Sequence, residues 1–129
     1  MEKKIKLDKE LEGFYGTEYY YRVSDKLVLT DGIETLLKKL SDDFVAYIML
    51  INVEKRLDIA NQYGILFMKL IINDNKYTME FYDDIPEKGH KYNYNETVLV
   101  DRFNDEINLE NCEIKTFIQN GVWALMSEY

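Results

Sequence analysis

The chain has 129 residues and a mass of 15.4 kDa, the size of one ordinary domain and too short for two. Lys and Arg number 16 against 24 Asp and Glu, a formal net charge of −8, which excludes a duplex-DNA binder built on a basic footprint that displaces phosphate counterions. A single Cys and a single His exclude an intrachain disulfide, a cysteine-built zinc centre and any two-histidine mechanism.

Hydrophobic residues make up 47% and aromatic residues 14%, enough for an ordered core rather than a disordered chain. No apolar run of signal-peptide length follows the mixed-charge start, Met1 to Glu10. The most apolar stretches, 44–53 and 64–72, are about half the length needed to cross a bilayer. A cytoplasmic protein with no membrane contact is expected.

Leu7, Leu11 and Phe14 have the spacing of a short helical turn around Gly13. Residues 17–23, crowded with Tyr19, Tyr20 and Tyr21, predict a strand, and 26–29 predict its hairpin partner across Ser24-Asp25. Asp31 followed by Glu34 has the capping-box pattern, and Ile33, Leu36, Leu37 and Leu40 then form one helical stripe. Ser41 is placed to cap a second helix with Asp42 and Asp43 in its first turn. Ala46, Leu50, Val53, Leu57 and Ala60 form its stripe, with Phe44, Tyr47, Ile48 and Ile51 beside it. Its first half is apolar nearly all round, which predicts the central core helix; Glu54, Lys55, Arg56 and Asp58 should carry the second half into solvent.

Gly64 ends the helical region. Residues 65–72, broken only by Lys69, predict a central strand. Residues 73–76 are turn chemistry, after which Tyr77, Met79 and Phe81 alternate with Thr78, Glu80 and Tyr82 as the returning strand. Residues 83–91 read as a loop, and 97–100 as a short strand. Residues 114–119 and 122–126 flank Asn120-Gly121, a strong hairpin signal. The fold class is α+β: one domain over residues 1–129, an antiparallel sheet with two consecutive helices packed on one face.

Several strings occur in order along the chain: Leu11 and Phe14, Gly16-Thr17-Glu18 leading into Tyr20-Tyr21-Arg22, Thr30-Asp31-Gly32 opening a helix, Ala46-Tyr47, and Ser127-Glu128-Tyr129. Together they resemble a bacterial domain family of phages, plasmids and other mobile elements that has no assigned chemistry. Ile48 stands where that pattern has an aromatic residue, and Met126 where it has Pro. The resemblance implies a mobile-element setting and no activity.

Nucleophilic catalysis finds no support in the residue types. Cys112 lies between Glu110 and Glu113, whose charge raises a thiol pKa rather than activating it, and His90 sits in a polar loop. Paired carboxylates (Asp83-Asp84, Asp105-Glu106, Glu110 with Glu113) read as a solvated face, and the cluster of Asp101, Asn104, Asp105 and Glu106 lacks the glycine and spacing of a calcium loop. No phosphate-binding glycine loop occurs. Tyr15, Tyr19, Tyr20, Tyr21 and Arg22 are residue types that stack on bases, but the charge opposes nucleic acid, so core packing or partner contact is expected. No catalytic residue, cofactor or metal is assigned.

Charge is distributed unevenly. Between Glu80 and Glu113 ten acids stand against Lys88, Lys91 and Arg102, which concentrates −7 of the −8 in about a quarter of the chain. Tyr82, Tyr92, Tyr94 and Phe103 are interleaved, and aromatic anchors within a charged rim are how interfaces gain affinity. The sequence therefore points to a non-enzymatic acidic interaction protein. In the mobile-element setting this is an inhibitor of the anti-CRISPR or anti-defence type, covering a basic, nucleic-acid-handling surface of a host protein without touching nucleic acid itself. The contact residues expected are Asp83, Asp84, Glu87, Tyr92, Tyr94, Asp101, Asp105, Glu106 and Glu110. The alternative is a small-ligand-binding or metal-dependent enzyme domain using the carboxylates from Asp101 to Glu113.

Overall fold

The computed structural model describes residues 19–40, 43–73, 76–83, 95–100 and 110–128. Along the chain these form β1 (Tyr20–Arg22), β2 (Val28–Thr30), α1 (Asp31–Lys39), α2 (Asp43–Glu54), α3 (Leu57–Tyr63), β3 (Leu66–Asn73), β4 (Lys76–Tyr82), β5 (Asn95–Val100), β6 (Cys112–Gln119) and β7 (Val122–Leu125). A short 3₁₀ turn (Met126–Glu128) follows β7. The seven strands make one sheet in the order β1-β2-β7-β6-β3-β4-β5. All neighbours are antiparallel except β2 and β7, which run parallel. The expected α+β class, with consecutive helices beside a mostly antiparallel sheet, is the observed one.

Alternation along the strands decides which face holds the core. Leu66, Met68, Leu70 and Ile72 of β3 point to the same side as Tyr77, Met79 and Phe81 of β4, Ile114 and Ile118 of β6, and Trp123 and Leu125 of β7. Ile33, Leu36 and Leu40 of α1, Val45, Met49 and Val53 of α2, and Leu57 and Ala60 of α3 complete that core. Its one buried hydroxyl on β6 is satisfied twice: Thr116 Oγ1 donates to the Met68 carbonyl (3.2 Å) and accepts from Trp123 Nε1 (2.9 Å).

Three local expectations are corrected. First, Thr30 rather than Asp31 caps α1: its backbone is extended and its Oγ1 accepts from the Ile33 amide at 3.4 Å. Asp31 is thereby moved into the first turn, and Glu34 pairs with Lys38 one turn on, at 2.6 Å. Second, the long second helix is two. The Arg56 amide bonds back to Val53 instead of Asn52, and Arg56 leaves the helical region with φ −106° and ψ 8°. Arg56 is buried, not solvated. Its Nη1 donates to the Asn52 carbonyl (2.7 Å) and Oδ1 (3.2 Å), and its guanidinium lies 4.5 Å from the centre of the Phe81 ring. Third, the inward stripe of α2 is Val45, Met49 and Val53, while Ala46 and Leu50 are half-buried and Tyr47 is exposed. When a helix is apolar on nearly every side, hydropathy cannot fix its rotation.

The β6–β7 turn is the anticipated Asn120-Gly121 pair, both at positive φ (54° and 75°). A side chain at Gly121 would also meet the Lys26 carbonyl at 2.8 Å. That close approach is what lets the Val28 amide bond the Gly121 carbonyl (2.9 Å) and start the parallel β2–β7 pairing. The expected cap Ser41 and the N-terminal helical turn lie outside the described residues.

Candidate functional site

The sheet face turned away from the helices has its own chemistry. Phe67 and Phe117 sit opposite one another on β3 and β6, and Ala124 sits opposite Phe117 on β7, forming a second, smaller cluster with Ile65, Tyr82 and Met126 against it. Beside it, Lys69 stands across from Glu80 and 3.7 Å from the Glu113 carboxylate, and the Tyr82 hydroxyl donates to Glu80 (2.7 Å).

Towards the β1 edge this face sinks into a recess of about 420 Å³, within the range of ligand and side-chain pockets. Register explains its shape. The central strands β2 and β7 present only small side chains here, Thr30, Val122 and Ala124, while the flanking strands present Phe117 and Gln119 on β6 and Tyr20 on β1. Asn120 of the hairpin lines one end and Glu128 of the 3₁₀ turn the other. The result is a low floor between aromatic banks, with Tyr20 61% exposed.

Glu128 is fixed by the fold. Its Oε1 accepts from Thr30 Oγ1 (2.7 Å) and the Leu125 amide (2.9 Å), and its Oε2 from the Gly32 amide (3.3 Å) in the first turn of α1. A carboxylate suits a helix N-terminus, where amides lack intrahelical partners. Gly32 makes room for it, since a Cβ there would lie 2.5 Å from Glu128 Oε1 and 2.5 Å from Leu125 Cδ1. Tyr19 joins the same corner through its amide, which donates to Asp31 Oδ2 (3.3 Å). The strings Tyr20-Tyr21-Arg22 and Thr30-Asp31-Gly32, neighbours across the β1–β2 hairpin, thus meet Glu128 from the far end of the sequence.

The tyrosines at this edge are surface residues. Tyr19, Tyr20 and Tyr21 are 65%, 61% and 39% exposed. Partial burial, then the charges of Asp31 and Glu34, raise the Tyr21 hydroxyl pKa above its ordinary value, so it stays a neutral donor. Arg22, on the same face as Tyr20, turns its Nη1 to the Ser24 and Asp25 carbonyls (both 3.2 Å).

Of the contact residues expected from sequence, Asp83 is half-buried just past β4 and Glu110 is half-buried ahead of β6. Asp84, Glu87, Tyr92, Tyr94, Asp101, Asp105 and Glu106 lie outside the described residues, as does His90. Two acids of that segment outside the expected contact set, Glu80 and Glu113, flank Lys69 on the open face. Cys112 is half-buried against the core. Among the described residues no group of three His, Cys, Asp or Glu could hold a metal ion, and no helix is long and apolar enough to cross a membrane. The recess was missed because its residues come from four strands; the run of tyrosines was its one sequence signal. No protein-family model, curated protein or solved structure matches the chain.

Proposed function

We propose that the chain is a non-enzymatic interaction protein that docks on a basic partner. The observation that carries this reading is the cluster of exposed tyrosines beside an aromatic-walled recess in a chain of net charge −8. Tyrosine gives large contact area with few rotatable bonds, and an exposed group of them is enriched at interfaces and uncommon elsewhere on a surface. The charge supplies complementarity: a negative field accelerates encounter with a positive surface and disfavours acidic competitors. The mobile-element resemblance adds the setting, in which the partner is a host nucleic-acid-handling protein and the acidic chain occupies the groove its nucleic acid would fill.

The test is association kinetics with a partner recovered by affinity capture, measured across a salt series, together with displacement of that partner's nucleic acid. Screening acts over about 8 Å at physiological ionic strength, so the association rate should fall as salt rises. Changing Asp101, Asp105 and Glu106 together to Lys should lower the rate at low salt, with folding intact. An association rate indifferent to both salt and charge reversal, or bound nucleic acid left in place, overturns the reading.

A further inference from the structure

The recess on the open face has a composition that selects its guest. Its banks carry two aromatic rings, Tyr20 and Phe117, and the amide of Gln119; its ends carry the Asn120 amide and the Glu128 carboxylate. None of the described residues lining it is cationic. We infer that this recess receives an arginine side chain of the partner, an assignment that rests on the basic-partner reading above.

Three alternatives fit less well. An anion would meet a carboxylate and no positive side chain. A purely apolar side chain would strip water from the side-chain amides of Gln119 and Asn120 and from Glu128 without replacing those hydrogen bonds. A lysine ammonium offers a compact, strongly hydrated charge, whereas a guanidinium is planar, weakly hydrated and able to stack on a ring while donating in its plane. Stacking has a ring available in the exposed Tyr20, and in-plane donation has acceptors in the side-chain amide oxygens. Glu128 accepts three hydrogen bonds from the protein, which leaves one of roughly four acceptor positions on a carboxylate for a guest. Those same bonds hold it in place before any partner arrives, so little ordering cost accompanies binding.

The test needs no partner. The full chain is titrated with blocked tripeptides Gly-Arg-Gly, Gly-Lys-Gly and Gly-citrulline-Gly, and the side-chain amide resonances of Gln119 and Asn120 are followed by NMR. Citrulline keeps the shape of arginine and loses its charge. The arginine peptide should shift both resonances with millimolar affinity, the lysine peptide more weakly, and the citrulline peptide not at all. Tyr20→Ala should weaken arginine binding about three- to fivefold, the loss of one exposed cation–π contact, and Tyr20→Phe should restore it. Tyr20 is 61% exposed, so neither change threatens the fold. Absence of shifts with arginine, equal shifts with citrulline, or binding unaffected by Tyr20→Ala overturns the assignment. The two readings separate: a failed titration leaves salt-dependent docking standing, while arginine binding beside salt-independent docking retains the recess and removes the docking mode.

Discussion

Glu128 joins segments that lie far apart along the chain. Its three hydrogen bonds reach Thr30, Gly32 and Leu125, so one side chain ties the 3₁₀ turn to the start of α1 and the end of β7. Hydrogen bonds to a charged acceptor contribute about 1.5–3 kcal/mol each in isolation and less when they share an acceptor. Glu128→Ala should therefore lower unfolding free energy by about 2–4 kcal/mol, read as a shift in denaturant midpoint. Gly32→Ala should lower it too, because its Cβ needs the space held by Glu128 Oε1. The double variant should fall well short of the sum, since either change opens the same contact. Strict additivity would mean that the two positions act separately.

At the scale of elements, α2 is the informative case. Ten residues from Phe44 to Val53 carry no charge, so the helix could be buried on any side; packing against the sheet chose Val45, Met49 and Val53. Met49 is fully buried and Leu50 only half. Met49→Ala should cost about 2–5 kcal/mol, and Leu50→Ala clearly less, both measured by equilibrium denaturation. Equal losses would place the helix at a different rotation. Arg56 was assigned to solvent because charged residues are rarely buried without partners; it is buried because the chain bends there, and Asn52 and Phe81 receive its guanidinium.

In the whole molecule, β2 and β7 form the seam between the N-terminal hairpin and the rest of the sheet. Their register pairs only Val28 with Val122 and Leu29 with Trp123, whereas β3 pairs with β4 and β6 over seven positions each. Short pairings built from distant segments open at lower free energy than long interior ladders. Native-state hydrogen exchange should show the Val28 and Leu29 amides exchanging well before those of Met68 and Leu70. Equal protection would mean that the seam opens only when the whole sheet unfolds. The tyrosine edge lies on the hairpin side and the recess spans the seam, so a partner that binds across β1, β2 and β7 would also stabilise the seam by mass action.

Local order was legible in the residues: the apolar run of β3, the period-two run of β4, the stripe of α1 and the Asn120-Gly121 hairpin all act over a few neighbours, and backbone stereochemistry reads them directly. The negative balance, and its concentration between Glu80 and Glu113, is likewise a property of composition. The strand order, the parallel β2–β7 pair, the rotation of α2 and the capping of α1 by a carboxylate 96 residues away came only from the folded chain. Those features depend on contacts between distant segments, where the free energy of burial is shared among many residues and no single string carries the signal. The recess is the clearest instance: small side chains on β2 and β7 and large ones on β1 and β6 are ordinary in each strand, and make an open recess only when tertiary pairing sets them side by side.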